Sequence, residues 1–116
     1  MGLEFCPTEI PEAILIRTQI HRYSHGFFFE AYKRSEFAAH GIAETFVQLN
    51  HSRPSRSVLR GLHYQRQPRA QGKLARCVSG EMHDVVVDIR RGAQIVASPR
   101  GECQGFRNRQ TCMVGQ

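Results

Sequence analysis

The chain has no tryptophan, no Cys-x-x-Cys pair, no internal repeat and no apolar run long enough to cross a bilayer. The missing apolar run excludes a membrane-spanning helix. The missing Cys pair removes the spacing of zinc ribbons and dithiol redox sites. Cys6, Cys77, Cys103 and Cys112 are scattered singly and read as free thiols of a reducing compartment. Residues 1–16 carry Glu4, Glu9 and Glu12, so they lack the basic-then-apolar start of a secretory leader. Acidic side chains are scarce, ten against sixteen Lys and Arg, for a formal net charge of +6. These absences describe a soluble cytoplasmic protein with no membrane partner and an affinity for anions.

What is present suits one folded domain. The 116 residues are 41% hydrophobic and 22% charged, a balance of globular rather than disordered chains. Nearly all the positive charge is arginine, whose planar fork matches phosphates. The run Arg53, Arg56, Arg60, Arg66, Arg69 and Arg76 suggests nucleic acid at first sight. It is broken by prolines and apolar strand residues and has no aromatic stacking platform, so no nucleic-acid partner is expected.

Short strands dominate the pattern. Ile14-Leu15-Ile16 and Phe27-Phe28-Phe29 read as strands, and Ser35 is placed to cap a helical turn that Gly41 closes. Thr45 to Asn50 alternates as a strand with Gln48 and Asn50 on one face. After an arginine-rich loop come expected strands Val58 to Gln65, Lys73 to Val78 and, past a Ser79-Gly80 turn, Met82 to Ile89. Many short strands with little helix argue for an antiparallel sandwich or barrel.

The chemistry concentrates in Val58-Leu59-Arg60-Gly61-Leu62-His63-Tyr64-Gln65 and Ala70-Gln71-Gly72-Lys73-Leu74. A guanidinium, an imidazole and an ammonium group lie a few residues apart. An imidazole can take a proton from carbon near neutral pH, and fixed cations can stabilise an enolate or hold a phosphate. A metal would want a second imidazole two residues after His63, but Gln65 stands there, and an amide oxygen is a poor zinc or iron ligand. Metal-free chemistry is favoured. Arg60 and His63 have opposite parity on an ideal strand, and an irregularity at Gly61 would bring them to one side.

With Gly26-Phe27-Phe28-Phe29-Glu30 and Phe46-Val47-Gln48-Leu49-Asn50-His51-Ser52, these motifs resemble the dTDP-4-dehydrorhamnose 3,5-epimerases from about Ile10 to Arg91. The resemblance implies an all-β, cupin-like barrel (double-stranded β-helix or jelly-roll), usually a homodimer in which the neighbouring subunit contributes to the site. It implies epimerisation of dTDP-4-dehydro-6-deoxy-glucose at carbons 3 and 5, with no cofactor. His63 takes the position of the catalytic base. Glu30, Gln48, Asn50, Arg60 and Lys73 take substrate-contacting positions, as do His25 and Leu49, where the family usually has arginine and aspartate. Ser57 stands in place of a family glycine.

The resemblance stops after Arg91, dividing the chain into a motif-bearing part, 1–91, and an irregular tail, 92–116, of the kind a frameshift or truncation leaves. The family's second-half tyrosine, its proton donor, and the aspartate that orients the histidine have no counterpart. Tyr23, Tyr32 and Tyr64 lie outside any matching motif, and Asp84 and Asp88 remain as substitute partners for His63. The barrel is therefore expected to be incomplete on its C-terminal side. The alternative to an active epimerase is a non-catalytic remnant or a module that binds sugar nucleotides.

Overall fold

The apolar run near the start of the chain builds the first strand pair. In the computed structural model, which describes residues 2–61, 63–80, 82–92, 96–97 and 110–114, β1 is Leu3–Pro7 and β2 is Ala13–Thr18. They pair antiparallel with Phe5 opposite Ile16 and Pro7 opposite Ile14. β1 forms one edge of its sheet, where a proline costs no interior ladder bond. The turn between them is held by Thr8, whose hydroxyl oxygen accepts the Ile10 N–H at 3.2 Å, and by Ala13 N–H donating to Ile10 carbonyl at 3.0 Å.

Chain order gives two further ribbon strands, β3 (His21–Tyr23) and β4 (Gly26–Phe28), paired across the turn at Ser24 and His25. The helix α1 (Arg34–Ala39) follows, then β5 (Lys73–Arg76), β6 (Val86–Val87), β7 (Val96–Ala97) and β8 (Gln110–Val114). The main sheet has the order β1-β2-β8-β5 and is antiparallel throughout. β8 thus lies between two strands from the first two-thirds of the chain. β6 and β7 make a third, two-stranded sheet. The described molecule is strand-dominated with one short helix, as the all-β expectation requires.

The helix starts one residue before the expected cap. Lys33, in extended backbone, takes the cap position and makes no side-chain cap bond. Its end follows the expectation at Gly41. That residue has φ 87°, its N–H donates to Ala38 carbonyl at 3.2 Å, and Ile42 N–H donates to Phe37 carbonyl at 2.9 Å. This paired closure brings the residue beyond the cap against the third residue from the end, and here those are Ile42 and Phe37.

The same contact founds the core. Ile16, Phe37 and Ile42 are buried together, with Leu3, Phe5, Ile14, Phe46 and Leu74 packed against them. Phe5 meets Phe37 edge-on at 5.3 Å, and Tyr32 meets Phe37 at 4.6 Å and Phe46 at 5.7 Å, the geometry aromatic quadrupoles favour. A second cluster joins Ile10 and Ala13 to Val86. Beside it Arg90 ties the chain ends of these elements together. Its Nε donates to both Asp88 oxygens at 2.9 and 3.0 Å, and its terminal nitrogens donate to Glu12 in the β1–β2 turn.

Three strand expectations need correction. Thr45–Asn50 forms no ladder, and neither do the described residues of Val58–Gln65, of which Leu62 lies outside the described set. The alternation there is real, but a strand exists only through a neighbour that accepts its hydrogen bonds, and none of the described residues does. The apolar face is left in solvent, with Val47 91%, Leu49 94% and Leu59 97% exposed. The third expected strand, Met82 to Ile89, shrinks to the two residues of β6.

Candidate active site

β5 supplies the fixed point of the site. Its first residue, Lys73, is held by pairing of its backbone register with Val114 of β8, and its side chain is exposed. Lys73 Nζ lies 3.3 Å from His63 Nε2, so the ten-residue excursion from His63 through the loop returns its ammonium group to the imidazole. Gly61, with φ 115°, breaks the regular alternation between Arg60 and His63. The described residues of 58–65 form no ladder, so the expected bulge has no strand to interrupt. Among the described residues, no hydrogen bond or ion pair joins Arg60 to the His63–Lys73 pair.

The other expected residues fall into separate groups. Gln48 Nε2 donates to Asn50 Oδ1 at 3.1 Å, so these two amides do share a face, while Leu49 points away from them into solvent. His25 is exposed in the β3–β4 turn. Glu30 follows β4, and its Oε1 is shielded from solvent with no hydrogen-bond partner among the described residues. Next to it, Phe29 is stacked with Phe27 at 6.0 Å, and the Arg76 guanidinium sits over the Phe29 ring at 5.5 Å. In the sequence Arg76 is merely one of a basic run; its aromatic partner is far away in the chain and carries no local signal.

Asp88 is not available to orient His63. Both its oxygens are taken by Arg90, which holds its carboxyl below the usual range, as it does that of Glu12. The two carboxylates in turn push the Arg90 guanidinium pKa further up. Asp84 makes no hydrogen bond to His63 among the described residues.

The sequence and the strand-dominated fold match known proteins. A family model described as dTDP-4-dehydrorhamnose 3,5-epimerase matches residues 7–113. The chain belongs to this family. It is 48% identical over 87 residues to the dTDP-4-dehydrorhamnose 3,5-epimerase of Shigella flexneri, covering 74% of this chain and 48% of that protein. It is 46% identical over 106 residues to the Pseudomonas aeruginosa enzyme of the same name, covering 90% of this chain and 58% of that protein. A crystal structure of dTDP-6-deoxy-D-glucose-3,5-epimerase from Legionella pneumophila, in complex with dTDP-4-keto-L-rhamnose, superposes with a TM-score of 0.81 at 32% identity. The match covers 99% of this chain and 61% of that one. The Sulfolobus tokodaii dTDP-4-dehydrorhamnose 3,5-epimerase gives 0.80 at 31% identity, over 98% of this chain and 64% of that one. The chain thus spans about half the length of the curated epimerases it matches.

Proposed function

We propose that this chain carries the proton-abstracting side of a site that epimerises dTDP-4-dehydro-6-deoxy-glucose at C3 and C5. The product is dTDP-4-dehydro-rhamnose, the reaction a step of dTDP-rhamnose biosynthesis. The observation that carries the proposal is the approach of Lys73 to His63 within the family's motif. Hydrogens beside the C4 ketone are weakly acidic because the carbanion delocalises onto the ketone oxygen. His63 removes such a proton as general base. Lys73 faces the oxygen where negative charge develops, and a fixed cation there favours the enolate. Return of a proton to the opposite face inverts the centre. The change is an isomerisation with no net oxidation, so it requires no redox cofactor.

Around this centre, Arg60 holds the diphosphate or assists at the enolate, and Glu30, Gln48 and Asn50 hold sugar and nucleotide hydroxyl or amide groups. His25 and Leu49 sit at two further contact positions, each with weaker capacity for polar binding than the residue usual in the family. In this reading 1–91 carries these contacts, and 92–116 contributes β7 and β8 to the sheets. The strands form a cupin-like barrel, incomplete on its C-terminal side, that pairs as a homodimer in the cytoplasm, and this pairing covers Val47, Leu49 and Leu59.

The test is deuterium incorporation. The chain and a His63→Ala variant are incubated with the 4-keto sugar nucleotide in heavy water, and the C3 and C5 proton signals are followed by NMR. Loss of either signal should slow by about 10²- to 10⁴-fold in the variant, the usual weight of a positioned base. Binding of the nucleotide without any exchange would instead assign the chain to the non-catalytic, sugar-nucleotide-binding alternative.

A further inference from the structure

We infer that Lys73 caps the lone pair of His63 in the ligand-free protein and fixes which tautomer the imidazole adopts. An ammonium group has three N–H donors and no lone pair, so at 3.3 Å Lys73 Nζ can only donate, and His63 Nε2 must accept. A nitrogen that accepts carries no proton. The neutral ring therefore bears its proton on Nδ1, and Nε2 is the nitrogen with basic capacity. That capacity is occupied, because the lone pair that would take a proton from carbon points at the Lys73 ammonium group.

The consequence deepens the reading of His63 as a base and rests on it. Lys73 must leave Nε2 before His63 can act, and a ketone oxygen is an acceptor able to draw it off. The lysine then does two jobs in sequence, holding the base in one tautomer while the site is empty and meeting the enolate oxygen once substrate arrives. Both groups are exposed, so neither a core rearrangement nor a lid is needed for the exchange. Lys73 in the first of these jobs is a positioning residue.

The tautomer can be read without any turnover. Two-bond proton–nitrogen NMR spectra of the ¹⁵N-histidine-labelled chain, taken where the imidazole is neutral, distinguish a protonated from an unprotonated Nε2. The expected wild-type signature is Nδ1 protonated and Nε2 bare. Lys73→Met should shift the population toward the Nε2–H form by roughly fivefold, the weight of one exchanged hydrogen bond. Lys73→Arg, which keeps a donor-only cation, should retain much of the wild-type signature. A wild-type ring protonated on Nε2 overturns the inference, as does an unchanged tautomer in a folded Lys73→Met chain. If Lys73→Met does not fold, the wild-type and Lys73→Arg spectra decide. Absence of deuterium exchange with the tautomer as expected would defeat the epimerase reading while leaving the cap in place.

Discussion

Two regions of this chain are rich in apolar strand formers and meet opposite fates. In the first, Ile14 and Ile16 of β2 face Phe37 and Ile42, and Ile16 and Phe37 are wholly buried. In the second, Val47, Leu49 and Leu59 stand almost fully in water. The pattern that makes a strand is thus not the thing that buries it. β2 has ladder partners on both sides, β1 and β8, and a helix within the same cluster. The stretch from Thr45 to Gln65 has no paired edge among the described residues, and of these only Phe46 is packed against the core. The proposed pairing of two copies is what would cover Val47, Leu49 and Leu59.

The sharpest way to break the comparison is to truncate one side chain in each region. Phe37→Ala removes the centre of the aromatic cluster and should cost about 3–5 kcal/mol, the range for emptying a large ring from a packed core. Such a loss is a large part of the stability of any domain this size. The matching change, Leu49→Ser, should leave the denaturation midpoint in place and instead lower self-association in sedimentation. A Leu49→Ser loss as large as that of Phe37→Ala would mean the second region is packed in solution, and the distinction drawn here would fail.

A smaller effect sharpens the second region from within. Ser57 has φ 61°, in the left-handed range where a Cβ crowds the following carbonyl. Ser57→Gly should therefore stabilise by about 1 kcal/mol in urea unfolding, since the strain is relieved. The reverse outcome carries information as well. If this loop is unconstrained in solution, glycine merely adds freedom to the unfolded chain and the variant becomes slightly less stable.

How much of this could be read in the sequence divides along the same line. The main signals for β2, β4, α1 and β5 were local: a β-branched run, a phenylalanine triplet, a glycine beyond a helix, a lysine opening an apolar stretch. Those elements formed within a residue or two of the expectation. The alternation at 45–50 and 58–65 was equally legible, yet a pattern cannot say whether its partner is at hand. β1 was hidden because Pro7 and Glu4 obscure a short apolar run, and β8 because isolated polar residues surround it. At the site, the sequence sets His63 and Lys73 in neighbouring motifs, and the Gln48–Asn50 bond joins residues two apart without a strand to carry them. The Arg76–Phe29 stack and the Arg90–Glu12 pair join residues distant in the chain, and no local pattern announces such pairs.

The Arg90 clamp belongs to the first region and should give the smallest effect, visible as a dependence on acid. Glu12 and Asp88 have carboxyl pKa values depressed below their ordinary 4.5 and 3.8, chiefly through hydrogen bonds from Arg90. A carboxyl with a lower pKa in the folded state stabilises the fold above its unfolded-state pKa. That contribution is lost as pH falls through the folded-state value. The wild-type melting temperature should thus decline as pH drops from about 5 toward 3. Arg90→Gln should be less stable at pH 6 and decline less steeply over the same window, so that the two curves converge in acid. Because Arg90 and Glu12 are about half exposed, added salt should narrow the gap at pH 6. Parallel curves would show that Arg90 acts through the packing of its stem over the Ile10–Ala13–Val86 cluster instead of through its charge.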